Sequence, residues 1–74
     1  MTKANGDLSK AFRRMLVELM SEAGISSHGL AREAGLAHTT IYRILNEERV
    51  PNLDTVERLL AALGFDAIIE LTPR

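Results

Sequence analysis

Two short helical patterns that meet at the three-residue turn Gly35-Leu36-Ala37 constrain the fold of this chain more than any other feature. The first pattern begins at Ser26, a favoured N-cap residue, and ends at Gly35, which adopts the left-handed conformation at little energetic cost. The second covers residues 37–46 and carries an apolar stripe that consists of Ile41, Ile44 and Leu45. Because helices this short depend on packing rather than on intrinsic propensity, the sequence predicts two small helices that pack closely across a tight turn.

Longer amphipathic patterns flank this pair on both sides. Residues 8–23 follow Asp7, a predicted N-cap, and place on one helical face the side chains of Leu8, Phe12, Met15, Leu16, Leu19 and Met20. Residues 53–63 follow Asn52, a second predicted N-cap, and their apolar stripe consists of Leu53, Val56, Leu59, Leu60 and Leu63. We therefore predict an all-α domain over residues 8–64, after a flexible tail over residues 1–7.

The last segment, residues 65–74, changes its hydrophobic period from helical to alternating. Its alternating apolar residues, which predict one face of a short β-strand, are Phe65, Ala67, Ile69 and Leu71. A single strand on a helical monomer leaves its backbone hydrogen-bonding groups unpaired. The same strand from a second copy satisfies them about a two-fold axis, so the pattern predicts a homodimer with these four residues at its interface. The alternative is an irregular tail that packs on the helices.

Composition limits the chain to one small domain. It has 74 residues, of which 46% are hydrophobic and 26% are charged, and it has no cysteine. No apolar run approaches the roughly 18 residues that a membrane-spanning helix needs. Residues 1–7 lack the apolar centre of a secretory signal. We therefore expect a cytoplasmic protein without disulfide bonds or a thiolate metal site.

No pattern in the sequence predicts a catalytic centre. His28 and His38 are ten residues apart, with neither a cysteine nor a carboxylate at metal-ligand spacing around them. There is no Ser/His/Asp arrangement, phosphate-binding glycine loop or nucleotide fingerprint. So short a chain is also unable to build a deep substrate pocket. We expect a protein that is not an enzyme and that needs no cofactor or metal.

The predicted exposed face of the second short pattern is suited to contacts with DNA bases. Opposite the apolar stripe lie Thr39, Tyr42 and Arg43, with His38 beside them in the first turn. Arginine can donate two hydrogen bonds to guanine O6 and N7, and threonine can contact base edges or the thymine methyl group. None of the four residues is acidic, and we predict base contacts for all of them. The alternative is an ordinary solvated helix face, where lysine and glutamate are more common.

Phosphate contacts are expected around the ends of the two short helices. The residues predicted to make them are Ser27, His28, Thr40, Asn46 and Arg49. Arg13 and Arg14 are candidates for the same side, although the sequence leaves their direction open. Glu47 and Glu48 lie in the predicted phosphate loop and repel DNA unless their carboxylates point away. The net charge of −1 and the pI near 6.1 also count against DNA binding unless acids and bases occupy different faces.

The residues above resemble the Cro/C1-type (Xre-like) helix-turn-helix family. The motifs that carry the resemblance lie in order within residues 8–64, and they are Leu30-Ala31, Gly35, Ile41-Tyr42-Arg43-Ile44 and Pro51-Asn52-Leu53-Asp54-Thr55. That family consists of phage repressors, bacterial regulators and the antitoxins of toxin–antitoxin pairs. The resemblance implies a lambda-repressor-like bundle of four or five helices, whose third helix over residues 37–46 enters the major groove of double-stranded DNA. The apolar C-terminal segment is similar to family members that dimerise through a strand.

The resemblance also implies roles for individual residues. Ser27 stands where the family usually has a phosphate-contacting glutamine, and residues 46–49 fall on the family's phosphate-contacting loop. The family's base-reading positions are occupied here by His38, Thr39, Tyr42 and Arg43. Two positions depart from the pattern: Ala37 replaces a common serine or threonine N-cap, and Glu47 replaces a turn glycine.

Two functions fit this sequence. The first is a repressor-like transcriptional regulator that binds a palindromic site on duplex DNA as a homodimer. The second is an antitoxin that binds a toxin protein and also represses its own operon. A helical bundle that binds only other proteins is the remaining alternative.

Overall fold

The computed structural model describes residues 7–73, and this part of the chain forms four α-helices. Their bounds are Asp7–Ala23 for α1, Ser27–Ala34 for α2, His38–Leu45 for α3 and Leu53–Ala62 for α4. The all-α fold and the four helices are therefore confirmed. The predicted tail lies outside the described residues except for Asp7, which already belongs to α1 instead of preceding it as an N-cap. None of the helices within residues 7–73 is long and apolar enough to cross a membrane.

Side-chain caps fix the first turns of α2 and α4. The hydroxyl of Ser26 accepts a hydrogen bond from the backbone N–H of Gly29 at 3.1 Å. The carboxamide oxygen of Asn52 accepts one from the backbone N–H of Thr55 at 2.8 Å. Both predicted caps are confirmed, whereas α3 begins after Ala37 without a side-chain cap.

Gly35 ends α2 and sets the direction in which the chain continues to α3. Its φ of 71° lies in the left-handed region, which costs an L side chain about 1–2 kcal/mol and glycine almost nothing. The N–H of Gly35 donates to the carbonyl of Arg32 at 3.3 Å, and that of Leu36 donates to the carbonyl of Ala31 at 2.9 Å. This pair of bonds is a Schellman motif, which satisfies the last carbonyls of α2 and lets α3 start only three residues later.

The hydrophobic core lies between the four helices, with α2 at its centre. Helix α2 packs against α3 and α4, and α1 packs against α3. The buried apolar residues are Leu16, Leu30, Ala31, Ala34, Ile41, Ile44 and Leu59. Because Ile41 and Ile44 point into this core, the opposite side of α3 faces outward.

The predicted apolar stripes extend further than the core does. Leu8, Met15 and Leu53 leave 80%, 40% and 72% of their surface exposed. Met15 and Leu53 line an open cleft between α1, α4 and the C-terminal segment, while Leu8 lies in the first turn of α1. The periodicity thus located the helices correctly, but parts of the apolar stripes of α1 and α4 stay outside the core, because no further helix of the described chain covers that side.

The predicted C-terminal strand is not observed, and this prediction is wrong for the single chain. The N–H of Phe65 donates to the carbonyl of Leu60 at 2.8 Å, and residues 65–73 form neither helix nor strand. All four predicted dimerisation residues are exposed, namely Phe65, Ala67, Ile69 and Leu71. A strand needs a second strand to bond with, and residues 7–73 offer none. The segment instead follows the alternative of an irregular tail beside α1 and α4.

The Ser26 cap provides a test of this fold. Replacement of Ser26 by Ala removes the acceptor for the Gly29 N–H, so we expect the free energy of unfolding to fall by about 1 kcal/mol. Chemical denaturation followed by circular dichroism measures the change. Ser21→Ala is the matched control, because Ser21 is an exposed residue near the end of α1 and caps no helix start. Equal stabilities of the two variants would contradict the assigned cap.

Candidate nucleic-acid interface

The exposed face of α3 carries three of the four side chains predicted to contact bases. Thr39, Tyr42 and Arg43 are exposed, and Tyr42 leaves 57% of its surface open. These residues lie opposite the buried Ile41 and Ile44. Nothing within residues 7–73 covers this face, and a major groove about 12 Å wide admits a helix of this kind.

His28 and His38 form a stacked pair where the starts of α2 and α3 meet. Their ring centroids are 3.6 Å apart, and the ring planes are inclined by only 9°. Ser27 Oγ lies 3.4 Å from His38 Nε2, and the ring centroid of Tyr42 lies 6.5 Å from that of His38. Helix α2 therefore holds the first side chain of α3 in place at the edge of the exposed face.

The sequence assigned these two histidines to different contacts and missed their stacking. His28 is the second residue of α2 and His38 is the first residue of α3. The feature of the sequence that could have indicated the stacking is the position of each histidine near the start of one of the two short helices. The near-parallel stack does not suit chelation of one ion by both rings, because the lone pairs of imidazole nitrogens lie in the ring planes.

The predicted phosphate contacts lie at both ends of the exposed face of α3. Ser27 and His28 occupy the first turn of α2, where backbone N–H groups lack partners within the helix. Asn46 and Arg49 are exposed in the loop that follows α3. Thr40 is half-buried on the flank of α3, and its backbone N–H donates to the carbonyl of Ala37 at 3.0 Å.

The loop after α3 contains an ion pair that the sequence did not predict. Glu47 has a φ of 61°, in the left-handed region, although it is not glycine. Its Oε2 lies 3.3 Å from Nη2 of Arg13, which reaches the loop from α1. The sequence singled out Glu47 because it replaces a turn glycine of the family. It did not indicate Arg13 as the partner, because Arg13 is 34 positions away and the contact depends on how α1 packs. The direction of Arg13, which the sequence left open, is therefore towards this loop.

Charge is distributed so that the exposed face of α3 carries a cation and no acid. Arg43 is charged, and Thr39 and Tyr42 are neutral. In the segments that follow, Glu47 is paired with Arg13, and Asp54 is paired with Arg58 at 3.1 Å. Although Glu48 is exposed in the loop, the local charge is more favourable to a polyanion than the net charge of the chain suggests.

Comparison with known families identifies the type of domain that the chain contains. A family model described as a helix-turn-helix domain matches residues 11–69, well over half of the 74-residue chain. The matched range contains all of α2, α3 and α4 and most of α1. No curated protein matches the chain significantly, and neither does any solved structure.

The histidine stack can be tested in solution. Replacement of His28 by Ala removes the ring that lies over His38, so the ring protons of His38 should lose an upfield ring-current shift. Proton–carbon correlation spectra of the two histidine rings measure this change. Arg32→Ala is the control on the same helix, and it should leave the His38 signals in place. Unchanged His38 signals in the His28 variant would show that the rings do not stack.

Proposed function

The chain belongs to the helix-turn-helix domain family, and we propose that it is a repressor-like transcriptional regulator that binds specific sites on double-stranded DNA. The observation that carries this proposal is the open outer face of α3, with exposed Thr39, Tyr42 and Arg43 above a buried apolar stripe. In the family's binding mode this helix lies in the major groove. We further assign the chain to the Cro/C1-type (Xre-like) group, on the motifs within residues 8–64, and infer that it acts by occupying DNA and not by catalysis.

Base recognition is proposed to centre on Arg43. Its guanidinium can donate two hydrogen bonds to the O6 and N7 atoms of one guanine. Thr39 and His38 lie nearer the start of α3 and are proposed to contact the neighbouring bases. Tyr42 is linked to the stacked histidines through its position beside His38, and its ring and hydroxyl suit a base or sugar edge.

Phosphate recognition is proposed to use two clusters on either side of α3. One consists of Ser27 and His28 in the first turn of α2, where the helix dipole also favours an anion. The other consists of Asn46 and Arg49 in the loop after α3, with the hydroxyl of Thr40 between the two clusters. These contacts fix the register of α3 on the duplex but carry little base preference.

A second copy of this chain is proposed to cover the apolar cleft beside the C-terminal segment. The cleft has a volume of about 600 Å³ and lies between α1, α4 and residues 65–69. Ile69 and Leu71 expose 72% and 90% of their surface, and their backbone has no strand to pair with in residues 7–73. Pairing of two such segments about a two-fold axis covers the apolar side chains and gives the backbone groups partners. On a palindromic site the two α3 helices of such a dimer contact half-sites about 34 Å apart, one turn of DNA.

An antitoxin is the second candidate function, and the same apolar surface favours it. Met15 on α1 and Ile68 in the C-terminal segment line this cleft and expose 40% and 81% of their surface. Val17, which lies elsewhere on α1, exposes a further 45%. Apolar surface of this extent marks a site where another protein binds. A toxin in this cleft and DNA at α3 would use different residues, because no residue of α3 lines the cleft. A neighbouring toxin gene and a stable complex of the two purified proteins would support this function.

Two arginine variants test the assignment of base and phosphate contacts. Arg43→Ala should weaken binding to a duplex selected from random sequences by about 1–3 kcal/mol and relax the base preference. Arg49→Ala should weaken binding to the selected duplex and to random duplexes about equally. Fluorescence anisotropy measures both, and Arg58→Ala is the control for loss of one positive charge, since Arg58 lies on α4 and is paired with Asp54. Wild-type affinity of both variants for both duplexes would refute the assignment.

One pair of variants tests the proposed homodimer. Ile69→Asp places a charge among the interface residues, so the fraction of dimer in sedimentation velocity should fall. Thr72→Asp is the matched control, because Thr72 is exposed in the same segment, does not line the cleft and alternates with the proposed interface residues Ile69 and Leu71. Dimer content that is unaffected by Ile69→Asp would exclude the strand interface. A monomeric wild-type protein would leave the apolar cleft to a different partner, such as a toxin.

A further inference from the structure

We propose that Arg13 is a positioning residue for DNA binding, because it pairs with the carboxylate of Glu47 and neutralises it beside the residues that contact phosphate. This inference rests on the proposed function, since it concerns how the loop after α3 meets DNA. Glu47 lies between two residues assigned to phosphate contacts, Asn46 and Arg49. A carboxylate at such a place opposes binding unless its charge is neutralised.

The backbone of Glu47 is the first observation. Its φ of 61° is a left-handed conformation that glycine adopts readily and glutamate does not. The N–H groups of Glu47 and Glu48 donate to the carbonyls of Ile44 and Arg43 at 3.1 and 2.8 Å, which closes the end of α3. The turn therefore fixes where the Glu47 side chain starts, and the acid lies at the end of the helix proposed to enter the groove.

The ion pair with Arg13 is the second observation. Arg13 Nη2 lies 3.3 Å from Glu47 Oε2, and the two side chains are 31% and 50% exposed. Nε of Arg13 is buried and makes no hydrogen bond in the described chain. The guanidinium is thus partly inserted beneath the loop, with one of its terminal nitrogens directed to the carboxylate. An exposed pair of this kind adds little to folding stability, so its main consequence is expected in DNA binding.

The charges around the pair are the third observation. Lys10 and Arg13 of α1 and Arg49 of the loop line one cleft of about 190 Å³ together with Glu47. When Arg13 neutralises Glu47, the cleft keeps the positive charges of Lys10 and Arg49. When Arg13 is removed, the carboxylate offsets one of these charges at the place where a phosphate is proposed to bind. Screening over about 10 Å at moderate salt does not remove an effect at such short range.

Opposite effects of the two halves of the pair distinguish positioning from a merely structural role. Arg13→Ala releases the carboxylate and should weaken binding to the selected duplex about tenfold, because like charges are then juxtaposed. Glu47→Gln removes the repulsion and should bind that duplex as tightly as the wild type or more tightly. If the pair only stabilised the fold, both variants would lower DNA affinity and melting temperature together, and that outcome would overturn the proposal.

The double variant separates positioning from direct phosphate contact. In a Glu47→Gln background, Arg13→Ala should change neither the affinity nor the dependence of log K on log salt. If Arg13 itself neutralises a phosphate, that substitution will weaken binding and reduce the slope by about 0.9, and the positioning role is then wrong. Arg13→Lys keeps a charge on α1 and should restore wild-type affinity to within about twofold.

Controls distinguish a failure of the Arg13 proposal from a failure of the proposed DNA binding. Arg58→Ala and Asp54→Asn break the exposed pair on α4 with the same charge changes and should leave DNA affinity unchanged. Melting curves identify any variant that does not fold. If Arg13→Ala is unfolded, the DNA affinity of Glu47→Gln still tests the proposal. A wild-type protein that binds no duplex removes both proposals. A wild-type protein that binds, with an Arg13→Ala variant of equal affinity, removes this inference alone.

Discussion

Burial of Ile41 and Ile44 orients α3, and the candidate interface depends on that orientation. The two side chains lie in one cluster with Leu16 of α1, Leu30 of α2 and Leu59 of α4. Helix α3 has only eight residues, and its start lacks a side-chain cap, so packing must hold it in place. Since the inner stripe is fixed, the outer residues have no freedom to turn inward. The same packing that stabilises the domain therefore determines which side chains meet a ligand.

Contacts between elements then turn this orientation into a defined surface. Gly35 allows α3 to start three residues after α2, and the stacked rings of His28 and His38 join the starts of both helices. Beyond the other end of α3, Arg13 reaches from α1 to Glu47 in the loop. The exposed face of α3 is thus supported at both ends by contacts from helices that lie outside it. This arrangement accounts for a surface suited to DNA on a chain whose net charge is −1.

The sequence predicted what depends on local rules and missed what depends on tertiary contacts. The helix ends at Ser26, Gly35 and Asn52 were predicted correctly. Helix capping and a left-handed backbone conformation depend on only a few neighbouring residues. The outward position of Thr39, Tyr42 and Arg43 also followed from periodicity. The histidine stack and the Arg13–Glu47 pair were missed, because residues distant in sequence meet there. The strand predicted over residues 65–71 is not observed in one chain. Alternating apolar residues indicate that one face of a segment is buried, but they do not show which strand pairs with it.

Amide chemical shifts recorded during titration with a selected DNA duplex show which surface of the domain binds DNA. Nitrogen-15 labelled protein gives one signal for nearly every residue, so the bound surface can be mapped onto the four helices. DNA binding through α3 predicts that the largest changes fall on the outer face of α3, the first turn of α2 and the loop over residues 46–49. Changes confined to α1, α4 and the C-terminal segment, with α3 unaffected, would contradict it.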